Sequence, residues 1–393
     1  MTLSVYDDNG QIRNYTIDKK SYKNNSKEEM IFIDSTSKES SLLKLIEVLY
    51  GDGKAILFDK NNKFIEERLK TLDLKSFQDK DFSFIYFTSG TTGKPVGALK
   101  TKDNLLLEIE QQTLLLKKYN IKKVIVTVPF IHVYGTLIGA LYPLENDIDI
   151  VIKEHFLPND LLDMVDDNTM VVATPLYIKS LNKLETTKDL SKSIFISSTA
   201  PLYPEIAKEF NEKFQTDVIQ IFGSTETGGI AYKYNESEFW TSINKVEISQ
   251  NQQGELKVVS PFISDTLYEE GFKETNNQIQ TFDYVEIVKN KFKLIGRSSQ
   301  ILKVAGKRYS ALQIENILEN EPNIQKALVY VSSNKEALRG EELNIILQSD
   351  ENILVKDIKM ILKKELLNVR FSINLKIVDE IKTTAVGKKM MIE

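Results

Sequence analysis

Residues 88–97 read Thr-Ser-Gly-Thr-Thr-Gly-Lys-Pro-Val-Gly. The stretch follows an apolar run, Phe82-Ser-Phe-Ile-Tyr-Phe87, with the texture of a buried strand, and it precedes a helical pattern that begins near Thr101. Three glycines and four hydroxyl side chains in one connection between a strand and a helix suit an anion. Glycine lets backbone N–H groups approach closely and form a nest. Ser89, Thr91 and Thr92 add hydroxyl donors and Lys94 adds a charge, so a phosphate chain is the expected ligand. The loop is not a Walker A motif, because Thr88 stands where that motif needs its first glycine and Pro95 follows Lys94. Read alone, a Gly/Ser/Thr turn also fits an ordinary surface connection.

Working outward, short apolar runs alternate with amphipathic ones from about residue 30 to 221. Strands are expected at 30–33, 54–58, 84–87, 124–128, 148–152, 170–173, 194–197 and 218–221. Helices are expected between them, among others at 41–50, 104–119 and 205–214. In the first of these, Leu42, Leu45, Ile46 and Leu49 fall on one helical face. Such alternation implies parallel strands with crossover helices. From 241 to 297 the period changes to two, as in Glu255-Leu-Lys-Val-Val, with Asn, Gln and Gly turns between, which reads as an antiparallel sheet. After Gly296-Arg297 a compact unit of strand, helix, strand, strand, helix and strand follows. The expected fold is α/β: a large N-terminal domain (1–297) of parallel βα layers plus a small antiparallel β subdomain, then a small α+β domain (298–393).

Composition narrows the chemistry. The 393 residues include no cysteine, which excludes disulfides, thiolate metal sites and cysteine catalysis. Two histidines, His132 and His155, leave little for a histidine metal site or a Ser-His-Asp triad. A net charge of −5 without a basic block argues against nucleic acid as a partner. Neither a signal peptide nor a long apolar span is visible, so a cytoplasmic location is expected.

Further motifs sit at predicted strand ends, where open α/β sheets collect ligands. Residues 220–228 read Gln-Ile-Phe-Gly-Ser-Thr-Glu-Thr-Gly, and Glu226 between two threonines is a natural Mg²⁺ ligand beside phosphate. A surface turn with a solvated glutamate is the alternative. Residues 198–202 (Ser-Thr-Ala-Pro-Leu) could equally be a helix start. In 129–135 (Pro-Phe-Ile-His-Val-Tyr-Gly) the histidine could be a core residue. Asp283 and Arg297 could be solvated, and Lys388, near the end, could be surface decoration.

Taken together and in this order, these stretches resemble the adenylate-forming superfamily of acyl- and aryl-CoA synthetases, carrier-protein ligases, amino-acid-activating domains and beetle luciferases. The first is similar to the family's Thr-Ser-Gly-Thr-Thr-Gly-x-Pro-Lys-Gly loop, with Val96 in place of its Lys. The resemblance implies that Thr88, Ser89, Gly90, Thr91, Thr92, Gly93 and Lys94 hold the ATP phosphates. It implies that Ala200 and Pro201 lie along the adenine, that Phe222 stacks on it beside Gly223, and that Thr225 meets the α-phosphate. Glu226 would hold Mg²⁺, and Asp283 and Arg297 the ribose. His132, Gly135 and Gly228 would line the pocket of a carboxylic acid. No acidic residue lies between Pro129 and Gly135, as an amino-acid substrate would require, so an acyl or aryl acid is expected.

Residues 301–315 look like the start of the family's mobile C-terminal domain. Lys303 and Gly306 would face the thiol channel of the second half-reaction, and Ser299 takes the hinge position, where the family has a charged residue. Residues 383–388 (Thr-Thr-Ala-Val-Gly-Lys) resemble the loop whose lysine bridges carboxylate and α-phosphate, which gives Lys388 that role. Phe282 and Lys382 depart from the family's Gly and Pro. Only 87 residues precede Thr88, so an N-terminal subdomain is expected to be abbreviated, with one wall of the cleft either missing or supplied by homodimer formation or a partner. The resemblance implies an ATP- and Mg²⁺-dependent acid–thiol ligase acting in fatty-acid or related acid metabolism. Its thiol acceptor would be coenzyme A or the phosphopantetheine of a separate acyl carrier protein, since five residues follow Lys388. The alternative is a nucleotide- or acyl-adenylate-binding protein with weak or no ligase activity.

Overall fold

The computed structural model describes residues 1–22, 30–88, 96–297, 301–304, 307–333, 341–366, 372–383 and 389. The chain opens with β1 (Thr2–Tyr6), β2 (Ile12–Thr16), β3 (Ile31–Asp34), α1 (Lys38–Tyr50), β4 (Ala55–Phe58) and α2 (Lys63–Lys70). The hairpin β5 (Phe84–Thr88) and β6 (Val96–Lys100) leads into α3 (Lys102–Leu116). Then come β7 (Lys123–Val126), α4 (Tyr142–Glu145), β8 (Asp149–Lys153), α5 (Pro158–Met164), β9 (Thr169–Ala173), α6 (Pro175–Asn182), β10 (Ile194–Ser197), α7 (Pro204–Phe214) and β11 (Val218–Ser224). Shorter strands follow: β12 (Gly228–Tyr234), β13 (Phe239–Ser242), β14 (Glu247–Gln250), β15 (Glu255–Val259), β16 (Thr266–Tyr268), β17 (Phe272–Glu274), β18 (Gln278–Val288) and β19 (Lys291–Arg297). Last are β20 (Ile301–Val304), β21 (Lys307–Ser310), α8 (Ala311–Glu319), β22 (Lys326–Ser333), β23 (Glu341–Gln348), α9 (Val355–Glu365) and β24 (Ser372–Val378).

Contacts divide the chain into two compact units, Met1–Glu247 with Val258–Ile279, and Ile248–Lys257 with Gln280–Glu393. In the first, strands run side by side in the order β13-β12-β11-β10-β9-β7-β8-β1-β2, with β11, β10, β9, β7, β8 and β1 parallel. Alternate residues of these strands feed opposite faces, which is why they read as unbroken apolar runs. Val124, Val126, Met170, Val172, Ile194 and Ile196 join the core that buries α1 and α3. Ile125, Val171, Ala173 and Phe195 join the core under α5, α6 and α7.

A second sheet, β17-β16-β6-β5-β4-β3, lies on the far side of α1. Its Ile56, Ile85, Phe87 and Leu99 pack outward on Ile65, Phe77 and Phe82. The expected parallel array is thus two sheets with a shared helical layer. The expected 241–297 sheet also divides, because β16 pairs antiparallel with β6. The first residues contribute to both sheets: β1 pairs parallel with β8 and β3 with β4. The 88–97 stretch joins two antiparallel strands, Thr88 opposite Val96, so a strand stands between the loop and the helix α3.

In the second unit, β22 pairs antiparallel with β23, and β23 parallel with β24. Helices α8 and α9 close this sheet through Ile314, Leu318, Ile358 and Leu362 against Val329, Leu343, Ile345 and Leu347. A β20–β21 hairpin precedes α8, where a single strand was expected.

Candidate active site

Adjacent strands β11, β10, β9 and β7 all end at one edge of the first unit, and three of the singled-out motifs lie there. After β7, Gly135 is held so close to Pro129 that a Cβ would stand 2.0 Å from its carbonyl oxygen. Only glycine fits, and the backbone then enters a π-helix, Gly135–Leu141, buried throughout. Such π-turns are uncommon and gather at functional sites. His132 opens this turn, and its carbonyl accepts from Thr136 N–H at 2.9 Å. Burial lowers the His132 pKa, against the charge of Asp59, so the imidazole is held neutral.

After β10, Ser198 donates its hydroxyl to Ile221 O at 2.8 Å, which ties this turn to the next strand. Thr199 has φ +78°, in the left-handed region that favours glycine. A β-branched residue there is strained. Ala200 and Pro201 follow it at the surface of the edge.

After β11 the chain bulges between Phe222 and Gly223 and turns back into β12. A Cβ on Gly223 would lie 2.2 Å from Gly228 O, so the two arms of the turn touch. Ser224 N–H donates to Thr227 Oγ1 at 3.0 Å and Thr227 N–H to Ser224 Oγ at 3.2 Å, which locks the turn around Thr225 and Glu226. The Phe222 ring packs on Trp240, centroids 5.4 Å apart, and Lys233 Nζ lies 4.9 Å from the Trp240 ring centroid.

Beneath this turn lie two buried charges that the motifs did not reveal. Lys100, 1% exposed, donates from Nζ to Glu226 O at 3.3 Å and to Phe262 O. Glu108, 3% exposed, accepts from Gly229 N–H at 2.8 Å. Burial pushes the Lys100 ammonium down to about 8, opposed by Glu108, Glu226 and Asp265. Burial likewise pushes the Glu108 carboxyl up to about 7, opposed by Lys100. One sequence signal was available: Leu105, Glu108, Ile109, Gln112 and Leu116 share the buried face of α3, and two of them are polar.

In the second unit, Asp283 and Arg297 stand opposite each other across β18 and β19, and Asp283 is buried. Lys303 pairs with Arg308 in the β20–β21 hairpin. Ser89, Gly90, Thr91, Thr92, Gly93, Lys94, Ser299, Gly306 and Lys388 lie outside the described residues. Residues on either side of 384–388 are described. Thr383 and Lys389 form a bridge, and Lys389 Nζ meets Glu315 Oε2 at 2.7 Å, Glu319 Oε1 at 2.6 Å and Ala327 O at 2.6 Å.

The oxygen donors of Glu226 and Thr225 suit a hard divalent cation. No group of three or more His, Cys, Asp or Glu gathers among the described residues. A Mg²⁺ held here would draw its other ligands from phosphate and water. No helix among the described residues is long and apolar enough to cross a membrane.

Residues 17–261 match the model of the AMP-binding enzyme family. A putative long chain fatty acid-CoA ligase, VraA, of Staphylococcus haemolyticus is 27% identical over 322 residues, covering 76% of this chain and 67% of its own length. A 4-coumarate–CoA ligase-like protein of Arabidopsis thaliana is 22% identical over 339 residues, covering 79% of this chain and 62% of its own. The chain thus spans about two thirds of these relatives. Among solved structures, ATP-bound MatB from Rhodopseudomonas palustris superposes with TM-score 0.81 at 15% identity, covering 98% of this chain and 93% of that one. O-succinylbenzoate coenzyme A synthetase (MenE) from Bacillus subtilis, in complex with ATP and magnesium, does so with TM-score 0.78 at 16% identity, covering 98% and 94%. The fold is the one these two share.

Proposed function

The chain belongs to the AMP-binding enzyme family, and on that footing we propose that it is an AMP-forming acid–thiol ligase. A carboxylate oxygen attacks the ATP α-phosphorus as the bond to pyrophosphate breaks. A thiolate sulfur then attacks the acyl carbon of the acyl-adenylate, and AMP leaves with the bonding electrons. The observation that carries the reading is the alignment of residues 129–135, 198–202 and 220–228 along one carboxyl edge of the first unit.

In this reading residues 88–94 cradle the phosphates, and Phe222, backed by Trp240, receives the adenine beside Ala200, Pro201 and Gly223. Asp283 and Arg297 take the ribose hydroxyls. Thr225 donates to the α-phosphate and Glu226 holds Mg²⁺. When bound, the cation neutralises phosphate charge that would repel the incoming carboxylate. His132, kept neutral, lines the acid's pocket with Gly135 and Gly228 without adding a charge. An acyl or aryl acid fits this, in keeping with the fatty acid and 4-coumarate named for the relatives. Lys388 serves adenylation and Lys303 and Gly306 serve thiol transfer, exchanged by rotation about Ser299. Coenzyme A is the favoured acceptor over a carrier protein, since the relatives are named CoA ligases. A second reading, a nucleotide-binding protein of weak activity, draws on Val96, whose buried side chain puts no charge where the family carries lysine.

ATP–pyrophosphate exchange across a panel of fatty and aromatic acids separates the two. Exchange driven by one class of acid is expected. ATP binding without exchange for any acid would favour the second reading.

A further inference from the structure

We propose that Lys100 and Glu108 are positioning residues for Glu226: a buried cation and a buried anion that grip residues 226–229 from beneath and fix where the Glu226 carboxylate stands. The inference rests on the reading of Glu226 as the Mg²⁺ ligand.

The grip has two points. Glu226 O takes two donors, Lys100 Nζ at 3.3 Å and Ser264 N–H at 2.9 Å. Three residues on, Gly229 N–H donates to Glu108 Oε1 at 2.8 Å. The Glu108 carboxylate lies flat against the turn: a Cβ on Gly228 would meet its Oε2 at 2.4 Å and one on Gly229 its Oε1 at 2.8 Å. Gly228 has φ +68°, so the turn needs glycine there for its backbone and for its contact. With both ends held, the carbonyl of Glu226 faces down and its side chain stands on a fixed base.

Lys100 also ends β6, the returning strand of the hairpin whose connection is residues 89–95. Opposite Phe84, at the end of the hairpin away from that connection, this one side chain couples β6 to the carboxylate turn and, through Phe262 O, to the segment before β16. Apolar residues would fill this space with less desolvation. Two buried opposite charges, each bonded to backbone rather than to the other, add little to stability against such a filling, and their use lies in fixing geometry. Groups that orient a metal ligand matter for metal affinity and turnover nearly as much as the ligand itself.

The test uses the whole chain and four variants: E226Q, K100M/E108Q, E108L and E108Q. ATP affinity is measured by calorimetry with Mg²⁺ and with EDTA, beside thermal unfolding and the kcat and KM of exchange. K100M/E108Q removes both buried charges together, so its melting temperature should stay near that of the parent. Its Mg²⁺-dependent gain in ATP affinity should fall by about ten- to a hundredfold, as in E226Q, with affinity in EDTA unchanged and kcat reduced more than KM. A Mg²⁺-dependent gain equal to the parent's, where E226Q has lost it, would overturn the inference. A gain retained by E226Q itself would instead overturn the reading of Glu226. Should the double variant fail to fold, E108L and E108Q decide the matter. E108Q still accepts from Gly229 N–H and should retain more of the gain than E108L, and equal gains in the two would overturn the proposal.

Discussion

Lys100 in the first unit is sunk beneath its strand and donates to two backbone carbonyls, whereas Lys389 in the second keeps 20% of its side chain exposed and meets two carboxylates and one carbonyl. Both sit beside a loop that carries a proposed catalytic group, Glu226 in one case and Lys388 in the other. The Lys100 ammonium is held by dipoles, with its counter-charges acting from around it, and burial drives its pKa down. The Lys389 ammonium touches its counter-charges directly. A fixed turn that must present a carboxylate without yielding is built on the first kind of anchor. A chain end that must stay attached to a helix is built on the second.

Replacing Lys100 alone should break this comparison most strongly. Lys100→Met removes the cation whose charge opposes the burial of Glu108, and a buried polar group left uncompensated costs about 1–3 kcal/mol, more when it is charged. Urea unfolding should show the loss, and adding Glu108→Gln should restore most of it. A single variant as stable as the parent would mean that the two charges are independent.

Next is the separation of the two half-reactions. Lys388→Ala should slow adenylation by roughly a hundred- to a thousandfold, the usual cost of deleting one preorganised donor. It should leave thioester formation from synthetic acyl-adenylate nearly intact, and Lys303→Ala should do the reverse. Equal damage to one step by both would remove the case for a rotating second unit.

Lys389→Met sharpens the contrast between the anchors. It frees one end of the 384–388 connection while sparing Lys388, so adenylation should fall by about tenfold, the low end for a supporting contact. Thioester formation from acyl-adenylate should not change. A loss as large as that of Lys388→Ala would show Lys389 to be the working lysine.

A smaller effect concerns the turn after β10, where a β-branched residue stands in the left-handed region. Thr199→Gly should raise stability by about 1 kcal/mol, since a left-handed non-glycine residue costs about 1–3 kcal/mol. A fall in denaturation midpoint would mean that the threonine side chain holds the turn more firmly than its backbone resists.

The smallest expected effect is in pH. Glu108, raised to about 7 from an ordinary 4.5, holds its proton longer in the folded chain, so its contribution to stability is lost as pH climbs from 4.5 through 7. Lys100, lowered to about 8 from 10.5, sheds its proton earlier when folded, so stability returns as pH climbs from 8 to 10.5. The melting temperature of the parent minus that of K100M/E108Q should therefore dip between pH 7 and 8. A flat difference would refute the buried-charge account.

The strands of the first sheet were legible because both faces are buried: Met170, Val171 and Val172 alternate between two cores and leave no polar residue to blur the run. That these runs separate into two sheets was not legible, since a strand's own residues do not name its neighbour. The pairing of β16 with β6, far away in sequence, is the plainest case. The π-helix after Gly135 has no periodic signal, as all seven of its residues are buried. At the site, the glycines announced themselves through close approach, and 135, 223 and 228 each prove to have no room for a Cβ. Lys100 did not, because a lysine ending a strand reads as solvated, and only its distant partners Glu226 and Phe262 show otherwise.

Those distant partners also set an order in time. Lys100 and Phe262 are 162 residues apart in sequence. At about 5–20 residues per second of synthesis, roughly eight to thirty seconds pass between the appearance of the lysine and that of the carbonyl it serves. Over that interval the β6 edge, Gly97-Ala98-Leu99, has no β16 to pair with, and an unpaired apolar edge invites the wrong strand. The nascent chain therefore carries an open seam through the making of the whole parallel sheet. Whatever escorts it through synthesis has that seam to cover until residues 266–268 arrive to close it.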